Sequence, residues 1–330
     1  MKKTLCSAIA LSVLMAPAYS ANLENPMYMP KQGEMYSKTS VGVMYKVADD
    51  TTAMVNKGHD GATEFPIWRL HEDLGYGITD RLEAYVKVGY THDDDIARKG
   101  MHMGRAGLKY RAFETTDGFA WDVYADAHLG GVSAMSGSYH PVTGFTYDNY
   151  SNGRWGFHAG TQVGKTWSKF SSAAFFEVLQ TFGNDNNEID VSALKPLMGA
   201  GAALMPSEIS VELKSTTEFN AGLKSFYQID DRWSVGAGFT FKHHEDNGID
   251  GLATEINPAL APAVNGLLSQ IADLNDGFDE YILSLSGSYQ LTDATQVTLY
   301  GEYTFDDAHQ GSQNGTDVKT EMGVRVNVTF

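Results

Sequence analysis

Asp317–Phe330, DVKTEMGVRVNVTF, decides the fold. One set of alternate positions is Val318, Thr320, Met322, Val324, Val326, Val328 and Phe330; the other is Lys319, Glu321, Gly323, Arg325, Asn327 and Thr329. One face is almost wholly apolar and the other charged or polar, with a strict period of two, so this is a β-strand with a different solvent on each side. It is longer than a typical globular strand, and a membrane strand needs only about 9–11 residues to cross. An edge strand of a soluble sandwich is the alternative, and the length argues against it.

The other end of the chain points the same way. Lys2 and Lys3 precede a short apolar run, Leu5–Met15, and Ala16 to Ala21 supply small residues for cleavage. This order predicts a signal peptide over residues 1–21, cleaved after Ser20 or Ala21, with the barrel over 22–330. A buried first helix would not need that order. Cys6 is the only cysteine and lies within the apolar run, so the mature chain is expected to hold no thiol and no disulfide. No other run approaches 18 uninterrupted apolar residues, which leaves no candidate for a spanning helix.

The formal net charge is −17, and loss of Lys2 and Lys3 makes it −19. Such acidity argues against nucleic acid as a partner, because phosphate recognition needs a basic footprint. The negative mean hydropathy, −0.27, is compatible with a membrane barrel, in which only alternate residues meet lipid.

Working back through the chain, the period of two recurs. Strands are predicted at about 34–47, 64–76, 82–90, 103–113, 119–129, 153–163, 169–182, 212–227, 233–243, 280–289, 296–305 and at the terminal stretch. Asn22–Gln32 reads as a periplasmic lead-in. The second strand conflicts with itself: Trp68, Leu70, Leu74 and Tyr76 suit lipid, yet Glu72 shares their phase. A carboxylate there is costly, so a bulge, an interfacial depth or another phase is expected. In the fourth strand Ala106, Leu108, Tyr110 and Ala112 are read as outward. Tight turns at Gly77–Arg81, Gln228–Arg232 and Leu291–Thr295 carry Asp and Thr, which bond their own backbone in such turns. Short turns alternate with long polar loops. The loop after His244 holds Leu260, Val264, Leu267, Leu268, Ile271 and Leu274 at helical spacing, which predicts a short amphipathic helix. Twelve strands place five short turns and both termini on one side, and six long loops on the other. The expectation is an all-β, membrane-spanning, antiparallel up-and-down barrel of about 12 strands, closed so that no edge faces lipid.

A terminal Phe330 with apolar residues two, four and six positions before it resembles the assembly signal of Gram-negative outer-membrane β-barrels. The resemblance to this porin-like and transporter class spans the chain after residue 21. It implies an outer-membrane location, contact with lipid and lipopolysaccharide, and recognition of Phe330 by the barrel assembly machinery. Tyr76–Leu82 also looks like turns of outer-membrane transporters associated with aromatic-compound degradation; it is common to many barrels and assigns no substrate.

Function is expected on the inward phase. Glu83 and Lys87, then Arg105, Lys109 and Arg111, then Asp122 and Asp126 fall on adjacent lumen faces. Lys87, Arg105, Lys109, Arg111, Asp122 and Asp126 are therefore the candidate selectivity residues. Opposed basic and acidic rows can focus a field on a charged solute, or can be ion-paired ladders filling a narrow barrel. The inward list is richer in bases than acids, so an anion-favouring lumen is expected beneath acidic loops. No cofactor or metal is expected: Asp93–Asp95 lacks alternate spacing, and the run after Asn184 has Ile189 where a calcium loop needs glycine. His128, His158, Ser284, Ser286 and Ser288 face inward, but no Gly-x-Ser-x-Gly or His-Glu-x-x-His run accompanies them, so no enzyme is expected. The sequence thus suggests passive diffusion of small hydrophilic solutes, with loops 183–208 and 244–279 narrowing the mouth. The alternative is a non-conducting structural or surface-interaction barrel, and less so a barrel hydrolase.

Overall fold

The structure, a computed structural model, describes residues 22–47, 66–93, 98–128, 154–190, 208–245, 278–306 and 318–330, with shorter pieces at 139–140, 144–145, 249–252, 257–258, 261–262 and 266. Twelve strands form one closed antiparallel barrel: β1 (Met35–Val47), β2 (Ile67–Thr79), β3 (Leu82–Asp93), β4 (Arg98–Glu114), β5 (Phe119–His128), β6 (Gly156–Trp167), β7 (Phe170–Thr181), β8 (Thr216–Gln228), β9 (Trp233–His244), β10 (Phe278–Thr292), β11 (Thr295–Asp306) and β12 (Val318–Thr329). Each pairs with its neighbours in sequence, and β12 closes on β1 from Tyr36↔Thr329 to Val47↔Val318. Closure satisfies every ladder without an edge, which is what a strand in hydrocarbon requires.

The ordinary pattern of burial is inverted. Leu285 and Leu299 are 68% and 63% exposed, whereas Asp122 and Asn327 are 0% and 1% exposed. Apolar residues coat the outside and polar ones fill the inside, as the period of two dictates for a barrel in lipid. The short turns gather at one end. There Asp230 accepts from the backbone N–H groups of Arg232 and Trp233, both at 2.8 Å, while Thr79 and Thr292 hydroxyls accept from Arg81 and Ala294. Gly118, at φ +86°, closes the β4–β5 turn.

Four local readings change. Glu72 does hold the outward phase, opposite Thr39 in a β1–β2 register unbroken from Met35↔Tyr76 to Met44↔Ile67. There is no bulge: Ser37 donates to Glu72 Oε1 at 2.6 Å and Thr39 to Oε2, so two hydroxyls solvate the carboxylate from the neighbouring strand. In β4 a register shift between Arg111 and Phe113 makes Ala112 the extra residue, and Phe113 takes the outward place opposite Trp121. The stretch expected to open the eighth strand at Glu212 is split: Glu208–Leu213 pairs instead with Asn184–Asp190 and Ile249–Leu252 in a separate three-stranded sheet. That sheet joins the two long loops to each other. The helix expected across 260–274 lies outside the described residues, except for 261, 262 and 266, which are helical. Residues 1–21 also lie outside them.

The fourth change matters most. Asn22–Gln32 is not a periplasmic lead-in outside the barrel. It turns inward and occupies the lumen at the turn end.

Candidate functional site: a plugged lumen and its chamber

The inward segment is held by wall side chains that reach its backbone. Lys38 Nζ donates to Leu23 O at 2.8 Å, Gln162 Nε2 to Pro26 O at 2.6 Å, Arg111 Nη2 to Met27 O at 2.7 Å and Lys109 Nζ to Tyr28 O at 2.9 Å. Asn22 bridges Gln228 and Gln296 at 3.0 and 3.1 Å. Leu23 and Met27 are buried, Met27 against Ala120 and Ala173. A chain with Pro26 and Pro30 cannot complete a ladder of its own, so its carbonyls are satisfied by long donors from the wall.

One ionic latch stands out. Arg325 Nη1 donates to both Glu24 oxygens at 3.0 Å, and Asn327 Nδ2 adds a bond at 2.9 Å. Burial pushes the Glu24 carboxyl up, but Arg325, Lys38 and Asn327 outweigh it and hold it below its ordinary value. Burial and then the bond to Glu34 push the Tyr28 phenol far above its usual range, so it stays protonated and donates.

Above the segment, tyrosines strap the wall. Tyr85 lies opposite Gly107, which lies opposite Asp126, and the Tyr85 hydroxyl donates across to Asp126 at 2.7 Å. Tyr124, Gly160 and Glu177 repeat the arrangement at 2.6 Å. A Cβ at Gly160 would run into the Tyr124 ring, so the glycine is what lets the ring lie flat. Tyr36 crosses Gly75 to Glu83, and Tyr300 covers Gly323 and donates to Glu321 at 3.1 Å.

Between segment and straps is a cavity of about 370 Å³. Its lining includes Lys38, Lys87, Lys109, Lys224 and Arg325, against Glu24, Asp73, Glu83, Glu177 and Glu302. Five bases meet five acids. The basic lumen expected from the inward list is therefore not what lines this chamber, because that list omitted Asp73, Glu302 and the acid Glu24 carried in by the segment.

All six candidate residues face the lumen, but they divide. Arg111 and Asp122 form a two-bond pair at 2.8 and 3.3 Å beneath the segment. Asp126 accepts from His158 Nδ1 at 2.7 Å and lies 3.9 Å from Arg105. Lys109 lies 3.5 Å from Asp122 and 3.9 Å from Glu83. Only Lys87 and Lys109 reach the chamber. The residues missed by sequence reasoning are Glu24 and its latch. Their signal was present: Leu23, Met27, Tyr28 and Met29 are too apolar for a solvated lead-in.

No family model matches the sequence, and no curated protein matches it. Among solved structures, an outer membrane channel from Pseudomonas putida F1 is similar at TM-score 0.54 and 14% identity, over 96% of this chain and 100% of that one. The chain has the outer-membrane β-barrel fold. The NanC porin is matched at TM-score 0.43 and 7% identity over 87% of this chain and 98% of that one. The β domain of the Bordetella autotransporter BrkA is matched at 0.45 and 11%, over 91% and 100%. At such identities the likeness concerns the fold, and function must come from the lumen.

Proposed function

We propose that the protein is an outer-membrane channel for passive diffusion of small hydrophilic solutes, constricted at its periplasmic, short-turn end by residues 22–32. The observation that carries this reading is the polar chamber of about 370 Å³ directly above the docked segment. A barrel that served only as a wall would gain by filling that space with packed side chains. Instead the Tyr36, Tyr124 and Tyr300 rings lie against Gly75, Gly160 and Gly323 and leave it clear. Five facing charges of each sign predict weak ion selectivity in place of a strong anion preference.

The test is conductance of the refolded protein in planar bilayers beside a variant lacking residues 22–31. Small, short-lived openings in the full chain and larger, steadier ones in the deletion are expected. A silent deletion variant that is correctly folded would sink the channel. That outcome would favour a surface-interaction barrel acting through the three-stranded sheet of 184–190, 208–213 and 249–252, which two separate loops combine to build.

A further inference from the structure

Many charges in the lumen are ion-paired, which makes those that are not informative. Arg325 holds Glu24, Arg111 holds Asp122, Arg69 holds Glu321 at 3.0 Å, and Lys319 holds Glu280. Among the described residues, Lys38, Lys87, Asp73, Lys224 and Glu302 line the chamber without an ion pair within 4.0 Å. Lys38 and Lys87 flank Asp73 in register on the neighbouring strands, which leaves Lys224 and Glu302 with no opposite charge beside them in the sheet. Lys224 Nζ rests 4.6 Å over the Phe175 ring, which steadies the ammonium without neutralising it.

These two residues share one row of the sheet. The register runs Lys224↔Gly238, Gly238↔Ser284 and Ser284↔Glu302. Lys224 and Glu302 are therefore three strand spacings apart, about 14 Å between Cα atoms at about 4.8 Å each. Between them the wall carries only small groups: Gly236 and Gly238 on β9, Ser284 and Ser286 on β10. The Ser286 and Ser284 hydroxyls lean over Gly236 and Gly238, each 2.5 Å from where a Cβ would stand. Neither hydroxyl has a hydrogen-bond partner among the described residues. The result is an alcove with an ammonium at one end, a carboxylate at the other, and two free hydroxyls along its floor.

We propose that this alcove binds a small zwitterion, its carboxylate on Lys224, its ammonium on Glu302 and its body over Ser284 and Ser286. A simple anion would satisfy Lys224 and leave Glu302 unmatched; a simple cation would do the reverse. A molecule with both charges, such as an amino acid, completes both ends, and charge-assisted bonds of this kind are the strong ones. The inference rests on the channel reading in one respect, that solutes reach the chamber.

The test uses saturation-transfer NMR on the full chain in detergent micelles, with glycine, 4-aminobutyrate and 6-aminohexanoate as probes and butyrate and butylamine as controls. At least one zwitterion should bind about tenfold more tightly than both controls. Glu302→Gln should reduce that zwitterion to the level of butyrate, and Lys224→Gln to the level of butylamine. Such opposite changes of preference do not arise from misfolding. If none of the three zwitterions binds more tightly than both butyrate and butylamine, the proposal is overturned. Because binding is read without current, a silent bilayer with selective binding would refute the channel and leave the site. Current without zwitterion binding would do the opposite.

Discussion

Glu24→Gln is the perturbation that tests the constriction most directly. The substitution keeps the shape of the side chain and removes its charge, so Leu23 and Met27 can stay buried while the latch loses its ionic character. Arg325 Nη1 now meets both oxygens at 3.0 Å and Asn327 meets one at 2.9 Å. Hydrogen bonds to charged groups contribute about 1.5–3 kcal/mol each, and removing one partner leaves Arg325 with an uncompensated charge. Taking the loss of one such bond as the lower bound, the ratio of docked to released segment should fall by about 10- to 100-fold at 1.4 kcal/mol per decade. The assay is open probability in planar bilayers, paired with thiol labelling of Asn25→Cys in a background without Cys6. Asn25 lines the chamber, so its labelling rate follows access past the segment. Both readouts should rise together. If Glu24→Gln gates and labels like the parent, the latch does not hold the segment and the argument from its geometry is wrong.

Two further outcomes follow from groups already described. Because the Glu24 value is lowered from its ordinary 4.5, its contribution is present above that value and is lost as pH falls through the lowered one; conductance should be flat above pH 4.5 and rise only in more acid solution, and the Gln variant should lose that rise. On the outer wall, Ser37→Ala with Thr39→Ala should cost about 1–3 kcal/mol in urea unfolding from vesicles, because Glu72 is left without its donors; adding Glu72→Leu should restore most of it, and an unchanged midpoint in the double variant would show the hydroxyls to be idle.

The barrel itself was legible because each strand meets two solvents, and the period of two records that directly. Val318 to Phe330 and Leu82 to Tyr90 assign their faces without help. Where reading failed, the deciding interaction was not local. Ala112 breaks phase because a bulge is set by pairing with Trp121, and nothing in its own neighbours announces it. Glu72 looked wrong because the hydroxyls that solvate it lie on another strand. The candidate site was legible in part: period assigns Arg111 and Asp122 to the lumen, but which inward residues meet depends on the stagger between strands, and that is fixed only by closure. The apolar residues of segment 22–32 signalled burial, but its docking place was not legible, for a related reason. It has no period, and its position is dictated by donors from β1, β4, β6 and β12.

The segment enters the lumen a few residues before β1, so it is a ligand that never diffuses away. Release and return are intramolecular events, governed by a short tether with an effective concentration in the millimolar range. A peptide copied from residues 22–32 and added at micromolar concentration would therefore lose the competition for the same donors. A cut in the link near Gly33, by contrast, would turn a reversible stopper into a dissociable one, and the closed state would then fade with dilution.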